Sequence, residues 1–169
     1  MQDKFTQAEE LFTHAQDIYV RTGDNAGRAN TLYVLGDMYY TQSKYNLAED
    51  SLSQAQEIYT RIDQNVGQAN TLCALGDVHL AQSKYIQAEE SYTRSQEIYA
   101  RIGVGLGRAN TLRGIGDLCR SQGRTVEAAS HYTEARDLYA QLGLTDDEED
   151  VSRRLAAVLP EHNSCEASP

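Results

Sequence analysis

The chain has 169 residues, of which 40% are hydrophobic, with a mean hydropathy of −0.58 and a formal charge of −10. No apolar run long enough to span a bilayer occurs, MQDKFTQAEEL lacks the basic end and apolar stretch of a secretory signal, and scattered Lys and Arg on an acidic chain make nucleic acid and membrane poor partners. Cys73, Cys119 and Cys165 are odd in number and far apart, which argues against a disulfide framework or a structural zinc and points to reduced thiols in the cytoplasm.

In chain order, residues 4–22 carry apolar positions at helical spacing and read as a single helix. Three segments with a period of 40 residues follow without gaps, over residues 27–66, 67–106 and 107–144. They begin GRANTLYVLGD, GQANTLCALGD and GRANTLRGIGD, and the opening helix matches the second half of the same unit, so the array opens in mid-repeat. In each unit two helical patterns are joined by a short polar link such as TQSK or SQGR, too short for anything but a turn between antiparallel helices. Tyr45, Ala48, Leu52, Ala55, Tyr59 and Ile62 lay one stripe along the second helix; Leu32, Leu35 and Tyr39 do the same on the first. One hairpin cannot bury both stripes, so neighbours must stack, which predicts an all-α fold, a right-handed α-solenoid of antiparallel helix pairs. A last helix is expected over 146–158, opened by a capping box from Thr145 to Glu148, with Val151, Leu155 and Val158 covering the end of the array and Pro160 stopping it. Residues 1–159 thus form one array, and 160–169 read as a disordered tail. No comparable cap precedes Phe5, so Phe5, Phe12 and Tyr19 are expected to be exposed, marking an end that continues upstream or pairs with another chain.

These residues resemble the tetratricopeptide repeat (TPR) family. Its pattern of large apolar, Leu-Gly, aromatic, Ala, aromatic and Ala positions is met by Leu32, Leu35-Gly36, Tyr39, Ala48, Leu52 and Ala55. The next unit offers Leu72, Leu75-Gly76, His79, Ala88, Tyr92 and Ser95, and the third Leu112, Ile115-Gly116, Cys119, Ala128, Tyr132 and Ala135, while the opening helix has Ala8, Phe12 and Ala15. The period is 40 residues where the family usually has about 34, and Thr60, Ala100 and Ala140 replace the usual closing proline. This longer form resembles the repeats of Pins/LGN-type scaffolds and the C-terminal arrays of fungal and bacterial NACHT or NB-ARC ATPases.

The stretch RIGVGLGRANT at 101–111 looks like a phosphate cradle when read alone. Its siblings RTGDNAGRANT and RIDQNVGQANT, and the absence of a Lys-Ser/Thr after the last glycine, reduce it to a turn between repeats, with positions 103 and 105 tolerant of left-handed backbone and Gly107 placed for close packing. His79 and Cys119 share the interior slot of Tyr39, and the acid pairs Glu9-Glu10, Glu49-Asp50 and Glu89-Glu90 read as a solvated face. His14, His131 and His162 have no local partner. No catalytic constellation, metal set or cofactor motif emerges.

What recurs instead is a ladder on the first helices: Asn30, Asn70 and Asn110, with Asp37, Asp77 and Asp117 two turns later, about 10.5 Å along the axis. By the resemblance, first helices line a concave groove, into which these rows point together with Tyr33, Tyr40, Cys73, Leu80, Arg113 and Arg120. An amide both donates and accepts, so a repeated Asn can grip a peptide backbone, while Asp and Arg select charge on the partner. The other reading of both rows is that they hold helix starts and turns together. The expected function is a non-catalytic module binding a peptide or partner helix; the alternatives are a regulatory fragment of a larger ATPase and a self-associating solenoid.

Overall fold

The computed structural model describes residues 2–159, and among the side chains of the first helix those of Gln2–Thr6, Ala8 and Glu10 are not included. The described residues form eight helices and no strand: α1 (Gln2–Thr22), α2 (Asn25–Thr41), α3 (Tyr45–Arg61), α4 (Asn65–Ala81), α5 (Tyr85–Ile102), α6 (Gly105–Ser121), α7 (Thr125–Leu142) and α8 (Thr145–Val158). The pairs α2/α3, α4/α5 and α6/α7 are the helical hairpins, and α1, α3, α5 and α7 each pack on the helix that follows. First helices also meet one another, α2 with α4 and α4 with α6, without an equivalent row of contacts between α3, α5 and α7. The stack therefore curves with its first helices on the inner side. This is an α-solenoid.

Two close approaches set the spacing. A Cβ on Gly36, Gly76 or Gly116 would run into Leu52, Tyr92 or Tyr132 of the same hairpin, and one on Gly27, Gly67 or Gly107 would enter the ring of Tyr19, Tyr59 or Tyr99 from the preceding helix. Glycine at both places lets a first helix press against two second helices at once, and the aromatic rings fill the space the missing side chains leave. Tyr92, Tyr99, Tyr132 and Tyr139 are accordingly buried in full, each contributing about 1.5–3 kcal/mol of apolar burial.

The links require left-handed backbone at one residue each. Ser43, Ser83 and Gly123 supply it within the hairpins, Gly23, Asp63, Gly103 and Gly143 between them. The expectation that position 105 shares this conformation is corrected: Gly105, like Asn25 and Asn65, is the first residue of a helix. One left-handed residue is enough to reverse the chain, and the Asn25 and Asn65 side chains instead accept hydrogen bonds from Arg61 (3.2 Å) and Arg101 (2.7 Å).

The capping box also fails to form. Thr145 already lies inside α8, whose cap is Leu144 with no side-chain hydrogen bond, while Asp146, Asp147 and Glu148 occupy the first turn and suit the helix dipole. Val151, Leu155 and Val158 pack into the cluster of Tyr132, Ala135 and Tyr139. At the other end the exposed apolar residues among the described side chains of α1 are Leu11, Ile18 and Val20; Phe12 and Tyr19 are half-buried, because α2 covers that side of α1, and Phe5 lies outside the described side chains.

Candidate functional site

The Asn row is tied from behind. The Tyr59 hydroxyl donates to Asn30 Oδ1 (2.5 Å), Tyr99 to Asn70 Oδ1, and Tyr139 to Asn110 Oδ1 (2.6 Å), each tyrosine coming from the second helix of the same hairpin. None of these asparagines caps a helix; at α2 that role falls to Asp24, which accepts from the Gly27 N–H (2.8 Å). With Oδ1 engaged, each amide keeps its Nδ2 donors, on side chains that are exposed at 30 and 70 and half-buried at 110.

The Asp row is divided. Tyr92 donates to Asp77 Oδ1 (2.6 Å) and Tyr132 to Asp117 Oδ1 (2.7 Å), but Asp37 faces Leu52 in the equivalent place, has no hydrogen bond or ion pair among the described residues, and is exposed. Asp117 is used further: Arg154 of α8 donates to both its oxygens at 2.8 Å and Arg120 approaches within 3.3 Å. Both rows were read as groove-facing contacts for a partner; for Asp77, Asp117 and the asparagine oxygens the structure gives internal partners instead. The tyrosines that hold them are the missed residues, and their signal was the 29-residue spacing that recurs from Asn30 to Tyr59, Asn70 to Tyr99 and Asn110 to Tyr139, with a 15-residue spacing from Asp77 to Tyr92 and Asp117 to Tyr132.

The remaining groove residues sort by packing. Cys73 and Leu80 are half-buried against the cluster of Ala88, Tyr92 and Leu118, so they form its wall more than its surface. Tyr33 and Tyr40 lie half-buried over Leu75 and Val78, with Tyr40 tilted against Tyr45. Burial, with Asp37 and other acids nearby, pushes the Tyr33 hydroxyl up to about 12, and burial with Asp77 beside it pushes the Cys73 thiol up to about 12, which keeps that thiol unreactive. Burial also raises the Asp77 carboxyl, against the opposing effects of Tyr92 and Arg113. Among the described residues Arg113 has no ion pair within 4.0 Å and its buried Nε has no partner, and its charge lies among Tyr139, Asp77, Arg154 and Asp117. Between the first two hairpins the surface deepens into a cleft of about 710 Å³, lined by Asn30, Tyr33, Tyr59, Asn70, Ile102 and Val104 among others. That size suits a ligand side chain or short segment.

Elsewhere the chemistry is structural. His79 Nε2 lies 3.4 Å from Glu49 and its Nδ1 3.3 Å from Ser91 Oγ, while Lys84 bonds Glu49 at 2.8 Å. Burial works against ionisation of Glu49, but Lys84 and His79 hold its carboxyl below the usual range. Glu9 reaches Lys44 at 3.6 Å in the same way. The leading acid of these two pairs is thus a link between repeats, a correction to the solvated face expected for them; Glu89 is exposed. Cys119 is buried, His14 is exposed, and His131 is half-buried with Nδ1 unpartnered; His162 lies outside the described residues. No group of three or more His, Cys, Asp or Glu side chains able to hold a metal gathers among the described residues, and no helix there is long and apolar enough to cross a membrane.

Comparison with solved structures shows the same fold at low identity. BtubC (BKLC) from P. vanneervenii superposes with a TM-score of 0.73 at 16% identity, covering 99% of this chain and 78% of that one. The apo form of RapI gives 0.72 at 12% identity, covering 88% of this chain and 62% of RapI. No curated protein matches the sequence. The family model for the tetratricopeptide repeat matches residues 1–61 and 67–141, which takes in every hairpin described above, and the chain belongs to the tetratricopeptide repeat family.

Proposed function

We propose that this protein-interaction module holds an extended segment of a partner protein along the inner face of its first helices. The observation that carries this reading is the row of Asn30, Asn70 and Asn110, each with Oδ1 held by a tyrosine and its Nδ2 donors left over. Donors that recur once per repeat match the carbonyls of an extended backbone, whose recognition does not depend on sequence. The tyrosine behind each amide fixes its orientation before binding, so little side-chain entropy remains to be lost on association.

Selectivity then comes from the side chains between the rungs. Asp37, exposed and unpaired, favours a basic partner residue over the first hairpin, and Tyr33 and Tyr40 offer aromatic walls beside it. Arg113, charged and without an ion pair among the described residues, favours an acidic residue over the third.

A peptide-display selection run in parallel on the native array and on Asp37→Arg tests this. The native array should enrich peptides with a basic residue at one end, and the variant should reverse that preference to an acidic one. Enriched peptides indifferent to the reversal would place the binding surface elsewhere.

A further inference from the structure

The two ends of the array are complementary halves of one hairpin. Among the described residues every second helix packs on a first helix before it and another after it, except α1, which packs on α2 alone. Every first helix there packs between two second helices, except α8, which among the described residues packs on α7 alone. Stepping by 40 residues, α8 occupies the place of a fourth first helix: Asp150 continues the row Asn30, Asn70, Asn110, and Ala156 continues Gly36, Gly76, Gly116. Stepping back by the same period, Leu11, Phe12 and Tyr19 of α1 take the places of Ser51, Leu52 and Tyr59. From these facts we propose that α8 of one copy seats on α1 of a second copy, completing a hairpin between chains and letting the solenoid continue head to tail.

The residues that would meet are matched in the way the internal pairs are. Tyr59, Tyr99 and Tyr139 each donate to the acceptor of their own hairpin, whereas the Tyr19 hydroxyl has no hydrogen bond among the described residues. Asp150 is the acceptor of the row that has no tyrosine; among the described residues its oxygens meet only Arg154 (2.7 Å) and Arg153 (3.5 Å), on its own helix. Seating the two ends brings Tyr19 to Asp150. The contact between Ser91 and His79 shows that their positions touch across a hairpin, and the equivalents at the ends are Leu11 and Leu159, which are 70% and 51% exposed. Phe12 falls opposite Ala156, whose methyl stands where the hairpins use glycine and must be accommodated by a shift of the Phe12 ring.

Three residues oppose the contact and set its strength, Ala156 by its methyl and Glu149 and Ser152 by their polarity. Glu149 and Ser152 stand where Ala29 and Leu32 pack on Ala55, Ile58 and Tyr59, so a carboxylate would be pressed towards Ala15 and Ile18. The junction is therefore weaker than an internal hairpin and reversible. Because the surfaces joined are different and their rotation repeats that of the solenoid, the assembly is open, without a closed ring.

Sedimentation velocity of the full chain over a wide concentration range tests the proposal, using Leu11→Glu and Leu159→Glu, both at exposed positions, with circular dichroism as the check that the fold is kept. The wild type should grow with concentration past the dimer. Each variant alone should be monomeric, and an equimolar mixture should give a heterodimer and nothing larger, through the one intact end of each. Glu149→Ala should tighten association by about tenfold. A wild type and Glu149→Ala that both stay monomeric would overturn the proposal. So would a Leu159→Glu chain that still assembles while Leu11→Glu does not, which would mean that α1 pairs with itself.

Discussion

Tyr99 does three jobs at once: its ring fills the space left by Gly107, its body is buried between hairpins, and its hydroxyl fixes Asn70. Tyr99→Phe removes only the last and should cost about 0.5–1.5 kcal/mol in denaturant unfolding. Gly107→Ala presses a methyl into the ring and should cost about 1–3 kcal/mol, because neither a fully buried tyrosine nor a helix backbone can yield cheaply. Gly103→Ala meets no atom within 4 Å, so only its left-handed backbone resists, at about 1 kcal/mol, and Gly103→Asn should cost less. The tyrosines also set the alkaline limit. Burial raises Tyr92, Tyr99, Tyr132 and Tyr139 above the ordinary phenol, the last to about 12, so the unfolded chain loses protons before the folded one does. The stability they contribute is complete below pH of about 10 and is lost as pH rises through the folded values. Melting temperature should hold to about pH 10 and fall beyond it, with these four tyrosines ionising only as the array unfolds; their early, reversible ionisation in a folded array would contradict this.

At the scale of the helix, α8 shows how a single ion pair can fasten a terminal element. Arg154 links Asp117 of α6 to Asp150 of its own helix, while Val151 and Leu155 pack on α7. Arg154→Met should cost about 1–2 kcal/mol, towards the low end because the group is partly exposed, and should speed amide exchange in α8 ahead of α4 and α5. The apolar stripe of α8 was legible in the sequence, since Val151, Leu155 and Val158 repeat at helical spacing. Arg154 was not legible: it stands where the earlier units have Val34, Ala74 and Gly114, and its partner is 37 residues away. The hairpin turns were placed by their polar composition, but which residue turns left-handed was decided by chain reversal, so Ser43 and Ser83 carry what Gly123 carries without a glycine signal.

For the molecule as a whole, the 40-residue period made the solenoid readable, because a hairpin that cannot bury both faces leaves stacking as the one outcome. The inner-face positions were legible from helical phase, yet phase alone does not say what a side chain touches. Asn70 and Asp77 look like free contacts from their own helix and are hydrogen-bonded from the next. Substituting them would loosen the array and weaken binding together, so they cannot separate the two roles. Asp37, which is exposed, and Tyr33 and Tyr40, half-buried with no hydrogen bond to another helix among the described residues, separate them better. The most direct measurement is the affinity of one display-selected peptide, by fluorescence anisotropy, for the native array, for Asp37→Ala with Tyr40→Ala, and for Ile86→Ser with Val126→Ser on the second helices. The account predicts a loss of tenfold or more, about 1.4 kcal/mol, for the inner-face pair at unchanged helicity and little change for the outer pair. Equal affinity for the native and inner-face arrays, or a loss confined to the outer pair, would contradict it.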